Sequence, residues 1–379
     1  MKHIVFCCTV PETFSFSRVL IPKLKREYGR ITLVSSEGDK LKRIAESLGV
    51  EYREAPFYRG MNPWRDLIAV RKLYLVLREL KPDILIGATP KASLISMVAG
   101  KMAGVSRRIY HIYGLPYETA KGIRQKMLFA VERITGSCAT HVVTIASSVK
   151  ESTLNHRLFA SRKMHQRGFL TIGGVDINRF NPESLKEEGV KLRHEWNIPD
   201  DAFVIGYVAR FTYDKGFCDL IDIWNRVRHH NNMYLLVVGK MDERVPLPHG
   251  LVERFFSDER VCNLGFRSDV ERCFSAMDMF LFPSYREGFG NVSIEASAMG
   301  VPVVTYDVTG CRDAVENNVT GFVVPFKDYD ALEHKIEDLY SNHELRLSLG
   351  EKGRARVCKF FSDEIVAHNF LQTIKSEIL

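Results

Sequence analysis

The sequence predicts an α/β protein made of two tandem domains, each a parallel sheet flanked by helices, and three observations carry that expectation. A chain of 379 residues is long for one hydrophobic core. Short apolar runs alternate with longer amphipathic stretches in the order that builds βαβ units. The alternation pauses at Gly173-Gly174-Val175-Asp176 and restarts beyond Pro182. With 45% hydrophobic and 26% charged residues, the composition excludes a disordered, collagenous or coiled-coil chain. No run approaches the roughly 18 apolar residues of a membrane span.

The elements follow in order. The apolar run starting at Ile4 is cut short by Pro11 and Glu12 and lacks a small-residue cleavage site. It therefore reads as a first strand, His3–Cys8, rather than a signal peptide, and a cytoplasmic protein is expected. Ser17–Tyr28 follows as a basic amphipathic helix, then strand Arg30–Ser35, helix Leu41–Leu48, strand Val50–Ala55 and the long helix Pro63–Leu80. Strands Asp83–Gly87, Arg107–Ile112 and His141–Ile145 alternate with helices Lys91–Ala103 and Ile123–Ser137. Past Pro182 a charged helix, Leu185–Trp196, opens the second series. Its strands are Phe203–Val208, Tyr234–Val238, Val261–Leu264, Met279–Pro283, Pro302–Tyr306 and Gly321–Val324, and Asp330–Tyr340 and Asp363–Ile378 are the closing helices. Two such domains usually take a ligand in a cleft outside the carboxyl ends of their strands. That layout alone does not choose among dehydrogenases, binding proteins and transferases.

Charge divides along the chain. Residues 1–182 hold 30 Lys and Arg against 14 Asp and Glu, whereas 183–379 hold 23 against 32. A basic first half suits an anionic membrane surface, a phosphorylated acceptor or nucleic acid, or is simply solvated. The eight cysteines form no Cys-x-x-Cys pair and no zinc spacing with histidine, so they read as small buried thiols.

Two segments carry chemistry. In Pro283-Ser284-Tyr285-Arg286-Glu287-Gly288-Phe289-Gly290-Asn291-Val292-Ser293-Ile294-Glu295-Ala296 a buried strand ends, two glycines open the backbone and a helix starts near Asn291. Amides at a helix start favour an anion, and Glu295, one turn in, points back to the same mouth. The plain alternative is a capped helix whose Glu287 and Glu295 are surface charges. In Gly206-Tyr207-Val208-Ala209-Arg210-Phe211-Thr212-Tyr213-Asp214-Lys215-Gly216 a strand ends in a loop with two cations, a pattern suited to a diphosphate. An ordinary exposed basic loop is the alternative there.

Together these segments resemble the retaining glycosyltransferases of family 4, which have the GT-B fold. The resemblance runs through Gly173-Gly174-Val175-Asp176, Val237-Val238-Gly239, Leu264-Gly265-Phe266-Arg267 and Gly321-Phe322-Val323. It implies two Rossmann-like domains facing a cleft: residues 1–182 for the acceptor, 183–358 for a nucleotide sugar, and 359–379 as a helix crossing back to the first. Thr89-Pro90-Lys91-Ala92 and Tyr113-Gly114-Leu115-Pro116 narrow the likeness to bacterial enzymes building surface glycans on a polyprenyl diphosphate. By position, Arg210 and Lys215 would neutralise the donor diphosphate and Glu287 would face the donor sugar. The backbone amides of Gly288, Phe289, Gly290 and Asn291 would lie against the sugar and phosphate, with Val292 also on the donor side. Glu295 would take the ribose hydroxyls and main chain near Phe266 the base. UDP is the expected nucleotide.

The chain departs from that pattern in its first half. Thr9-Val10-Pro11-Glu12-Thr13 stands where many relatives have a Gly-Gly loop, and Tyr113 precedes Gly114 where many have histidine. His111, Tyr113, Thr13 and Lys91 are therefore candidates for the sugar and acceptor side, His111 being equally readable as a buried strand residue. Asp328-Tyr329-Asp330 reads as helix capping by Asp330 rather than a metal site, and the resemblance implies neither catalytic metal nor cofactor. The expected partners are a nucleotide sugar, a glycan or lipid-linked glycan and the anionic inner membrane surface, not nucleic acid. Membrane contact is expected through Arg18, Lys23, Lys25 and Arg26 on one helix and Lys121, Arg124 and Lys126 on another. Against this enzyme stand a sugar-nucleotide epimerase or phosphorylase on the same architecture and a non-catalytic sugar- or nucleotide-binding protein. A nicotinamide dehydrogenase is disfavoured because no Gly-x-Gly-x-x-Gly follows the first strand.

Overall fold

The computed structural model describes all residues except 59, 61, 244, 246 and 379. They form two compact units, Met1–Gly174 with Asp363–Leu379, and Val175–Ser362.

The first unit contains strands β1 (Lys2–Cys7), β2 (Gly29–Ser35), β3 (Glu51–Glu54), β4 (Ile84–Ala88), β5 (Arg107–Ile112), β6 (His141–Thr144) and β7 (Met164–His165). All pair in parallel, in the order β3-β2-β1-β4-β5-β6-β7. Ile4, Val5 and Phe6 of β1 are fully buried, as a central strand covered on both faces demands. Because crossovers are right-handed, the helices after β1 and β2 lie on one face and those after β3, β4 and β5 on the other. The C-terminal helix Asp363–Thr373 and the turn Ile374–Ile378 pack beside the helix Leu20–Tyr28, where Phe370 and Ile374 join a core with Phe6 and Leu24.

The second unit contains β8 (Phe203–Val208), β9 (Met233–Val238), β10 (Val261–Gly265), β11 (Met279–Phe282), β12 (Val303–Tyr306) and β13 (Gly321–Val324). Their order is β10-β9-β8-β11-β12-β13, again parallel. In each sheet the order reverses at one point, between β1 and β4 and between β8 and β11. Ligands of open α/β sheets bind outside the carboxyl ends of the strands at such points.

Several expectations need correction. The units divide at 174/175 and 362/363, not at 182/183 and 358/359, because Val175 N donates to Phe361 O at 2.8 Å and Val175 bridges to Ser362. The first helix starts at Leu20, after a 3-10 turn Pro11–Ser17. A whole helix, His343–Phe360, lies between the two expected closing helices, its start capped by Asn342, which accepts from Leu345 N at 2.9 Å. Its glycines lower intrinsic helix propensity, yet one of them is the packing surface: a Cβ on Gly350 would stand 2.0 Å from Gly300 O. That close approach backs the helix Asn291–Ala298. The eight cysteines are unpaired, six of them buried. Among the described residues no helix is long and apolar enough to cross a membrane.

Candidate functional site

The loops leaving β8 and β11, neighbours at the reversal of the second sheet, are tied together. Tyr285 N donates to Asp214 O at 2.9 Å. Lys215 Nζ makes an ion pair with Glu287 Oε1, and the Ser284 hydroxyl lies 2.8 Å from the same oxygen. Both charged side chains are mostly buried, 19% and 14% exposed, so their attraction is less screened than at an open surface. Gly216 permits the approach: its φ is +68°, and a Cβ there would stand 1.8 Å from Pro283 O.

Two residues not singled out from the sequence hold this arrangement. The buried Tyr207 donates its hydroxyl to Lys215 O at 3.0 Å and sits 3.4 Å from Arg210 O, fixing both ends of the cation-bearing loop. Asp219, 1% exposed, accepts from Tyr285 at 2.6 Å and Tyr306 at 2.8 Å. That pins the loop after β11 to the helix Phe217–Val227 and to β12. A buried carboxylate survives only with such partners.

Arg210 pairs with the buried Asp242 at 2.6 Å while half of its side chain remains exposed. Glu287 N donates to Thr309 O at 3.0 Å, so the segment after β12 supports it from behind. Gly290, at φ +77° and with no side chain of its own to cap the turn, leads the chain into the helix Asn291–Ala298. Gly288 and Val292 flank that turn and are part-exposed. Phe289 offers its main chain alone: its ring is 2% exposed and packs 5.1 Å from Phe361, so the side chain anchors the loop.

Glu295 sits in the same helix, part-buried near Glu271 and Arg179, which pair at 2.6 Å. Burial, reinforced by Glu271 and opposed by Arg179, pushes its carboxyl up to about 7. Phe266 follows Gly265 at the end of β10 and is 73% exposed, with Lys240 Nζ 5.6 Å from its ring centre. These placements give the carboxyl rim of one sheet two cations, two carboxylates, a helix start behind a glycine and an exposed aromatic ring.

Of the residues predicted in the first unit, the structure brings together His111 and Tyr113, whose rings meet edge-on at 4.8 Å. Lys91 is engaged by both oxygens of Asp66, at 2.8 and 2.6 Å. Thr13 is part-exposed in the turn after β1. Tyr113 is half-buried and hydrogen-bonded to Ser17. His111 is a core residue: 3% exposed, its ring lies 4.6 Å from Phe370, beside a cavity of about 20 Å³. Among the described residues neither ring nitrogen has a hydrogen-bond partner, and burial lowers its pKa to about 3. The reversal point of this sheet is instead marked by Thr9 and Thr89, whose hydroxyl oxygens are 2.7 Å apart. Thr89 takes φ +68°, rare for a β-branched residue.

The Asp-x-Asp triplet is divided, but not as expected. Asp328, not Asp330, caps the helix Tyr329–Ser341 by accepting from Ala331 N at 2.9 Å, and Asp330 pairs with Arg226 at 2.6 Å. Among the described residues one group gathers metal-type ligands, His229, His230 and Glu337, and it includes no predicted site residue.

Comparison with known proteins places the whole chain among glycosyltransferases. Residues 17–166 match the model described as Glycosyltransferase Family 4, and residues 190–356 that of Glycosyl transferases group 1. The capsular polysaccharide biosynthesis glycosyltransferase CapM of Staphylococcus aureus is 34% identical over 366 residues, 96% of this chain and 94% of that protein. The N,N'-diacetylbacillosaminyl-diphospho-undecaprenol alpha-1,3-N-acetylgalactosaminyltransferase of Campylobacter jejuni is 24% identical, over 95% of this chain and 94% of its own. In structure, Anabaena Alr3699/HepE, crystallised with UDP and glucose, superposes with a TM-score of 0.80 at 19% identity, over 99% of this chain and all of that one.

Proposed function

This chain belongs to glycosyltransferase family 4 and is a glycosyltransferase of polysaccharide biosynthesis with the GT-B fold, and we propose that it moves a hexose-type sugar from a UDP-sugar to a hydroxyl of a polyprenyl-diphosphate-linked glycan, retaining anomeric configuration and needing neither metal nor cofactor. The observation that carries this reading is the Lys215–Glu287 pair, braced by Ser284 and Tyr207 where β8 and β11 diverge. A diphosphate entering there takes the ammonium from Glu287, leaving that carboxylate to accept from sugar hydroxyls. As the bond from anomeric carbon to phosphate oxygen breaks, its electron pair leaves with the diphosphate, against Lys215, Arg210 and the helix start at Asn291. Charge held ready where charge develops is the largest catalytic contribution such a site offers. The acceptor oxygen attacks the same face and its proton passes to a departing phosphate oxygen. Glu295 accepts from the ribose hydroxyls and Phe266 borders the base.

The lipid-linked acceptor is supported by the Campylobacter relative, named for an undecaprenol-linked substrate, and UDP by the ligand of the Anabaena structure. Such an acceptor would place the enzyme at the inner face of the membrane. A thermal-shift screen of UDP-, GDP- and ADP-sugars tests the donor, since a ligand at 100 times its Kd adds about 2.7 kcal/mol. Stabilisation by GDP- or ADP-sugars alone would overturn the UDP assignment. NMR of the product with an inverted anomeric centre would overturn retention, and loss of turnover in EDTA would overturn metal independence.

A further inference from the structure

The helix Pro63–Leu80 packs Ala69, Leu73, Leu77 and Leu80 inward, so its opposite face should be polar. It is not. Trp64, Leu67, Ile68 and Leu75 are 78%, 61%, 53% and 56% exposed. Ile68, Arg71 and Leu75 follow Trp64 at four, seven and eleven residues, so these four share one face. Such a contiguous apolar stripe on a water-exposed helix marks a contact surface.

Charge identifies what it contacts. Arg71, Lys72 and Arg78 lie along or beside the stripe and are exposed, with no ion pair among the described residues. The helix's two acids are already engaged, Asp66 by Lys91 and Glu79 by Arg53. A second helix, Gly122–Cys138, lies on the same face of the sheet, and both pack against Pro90–Met102. It exposes Ile123, Met127 and Ile134 at 79%, 47% and 49%, and its one acid, Glu132, is buried against Tyr110. Each is the first α-helix after its strand, β3 or β5, so both leave from the carboxyl side of the first sheet.

We propose that the outer faces of Pro63–Leu80 and Gly122–Cys138 form one docking surface for an anionic lipid bilayer, with Trp64 and Ile123 entering the interface at the rim of the acceptor unit. This rests on the proposed lipid-linked acceptor and gives it a place: lipid headgroups meet the cations, and the apolar side chains enter between them. It keeps the second stretch expected from the sequence, with Arg124 and Lys126 on Gly122–Cys138, and replaces the first. The helix carrying Lys23, Lys25 and Arg26 is on the opposite face, where Lys23 and the preceding Arg18 pair with Glu364 and Asp363 of the C-terminal helix. Its Leu20, Ile21 and Leu24 are buried.

Sedimentation of the full chain with vesicles of phosphatidylglycerol and phosphatidylcholine, against phosphatidylcholine alone, tests the surface. Binding is expected only to the anionic vesicles and should weaken with salt. Each cation near anionic lipid strengthens partitioning about fivefold, so the double variant R71E/K72E should lose about 25-fold or more. Trp64→Ser with Ile68→Ser should also release the protein, whereas Arg26→Glu on the opposite face should not. In the unaltered chain, brominated acyl chains should quench the exposed Trp64, a signal that Trp64→Phe removes; this reading needs no folded double variant. Wild-type protein left in the supernatant at low ionic strength, or R71E/K72E sedimenting as wild type, would overturn the proposal. Turnover on a water-soluble glycan acceptor separates the two readings: it persists if only the docking surface is wrong and is absent if the transferase reading itself fails.

Discussion

Replacing Glu295 by Gln separates what this side chain does for binding from what it costs the fold. The helix Asn291–Ala298 carries its carboxyl into a part-buried position beside Glu271, and its pKa rises from the ordinary 4.5 to about 7. The folded state therefore holds a proton that the unfolded chain has released between those two values. That contribution is complete below pH 4.5 and is lost as pH rises through 7. At 1.36 kcal/mol for each pH unit between the two values, the full effect would reach about 3 kcal/mol. Solvent reaches the group, so about 1–2 kcal/mol is the expected remainder. Glutamine has the same shape and no charge at any pH. Glu295→Gln should therefore match wild type at pH 4 and exceed it at pH 8, by roughly 3–6 °C in Tm for a unit of this size. Thermal unfolding monitored from pH 4 to 8 reads this directly. A gain of the same size at both ends would mean that the carboxylate charge is not its source. The functional half runs the other way. A ribose hydroxyl donating to a carboxylate is bound more strongly than one donating to an amide, so UDP affinity at pH 8 should fall about tenfold. A variant that is more stable at pH 8 but binds UDP unchanged would remove Glu295 from the ribose contact.

Lys215→Ala should lower kcat by about 10²–10³ with the protein still folded, as expected when one preorganised charge is lost; unchanged single-turnover rates would take Lys215 out of the leaving-group role. Gly216→Ala forces a Cβ against Pro283 O at a left-handed φ, so denaturant unfolding should show a loss of about 2–4 kcal/mol, and wild-type stability would contradict the close approach. His111→Leu removes two buried nitrogens without partners and should raise stability by about 1–3 kcal/mol while leaving turnover intact. The histidine's pKa is lowered from 6.5 to about 3, so stability that wild type loses as pH falls from 6.5 toward 3 should be kept by the variant. A drop in turnover would return His111 to the reaction.

What could be read from the sequence depended on how local each signal was. Arg210, Lys215, Glu287 and Glu295 were legible because each motif fits within one strand–loop–helix unit, where spacing fixes direction. Tyr207 and Asp219 were not. A tyrosine inside a buried strand and an aspartate on a helix look like core and surface residues until the fold brings Asp219 against Tyr285 and Tyr306, 66 and 87 residues away. The helix His343–Phe360 was missed because Gly350 and Gly353 weaken its local signal, while the contact that uses Gly350 comes from a distant turn. The proposed membrane docking shows the same limit most sharply. The apolar residues of Leu20–Tyr28 and those of Pro63–Leu80 have comparable patterns beside basic neighbours. The first helix is covered by a segment that begins at Asp363, more than 300 residues later in the chain. The second is apolar on two faces, one spent on the core and one left to solvent. Periodicity reports that a helix has an apolar face; only packing decides whether that face is already occupied. The charges follow the packing: the acids at Asp363 and Glu364 neutralise the first helix, and no such acids cover Arg71, Lys72 or Arg78 among the described residues. Net charge in the first half of the chain therefore could not locate a membrane surface, because the quantity that matters is the cation left unpaired beside exposed apolar area.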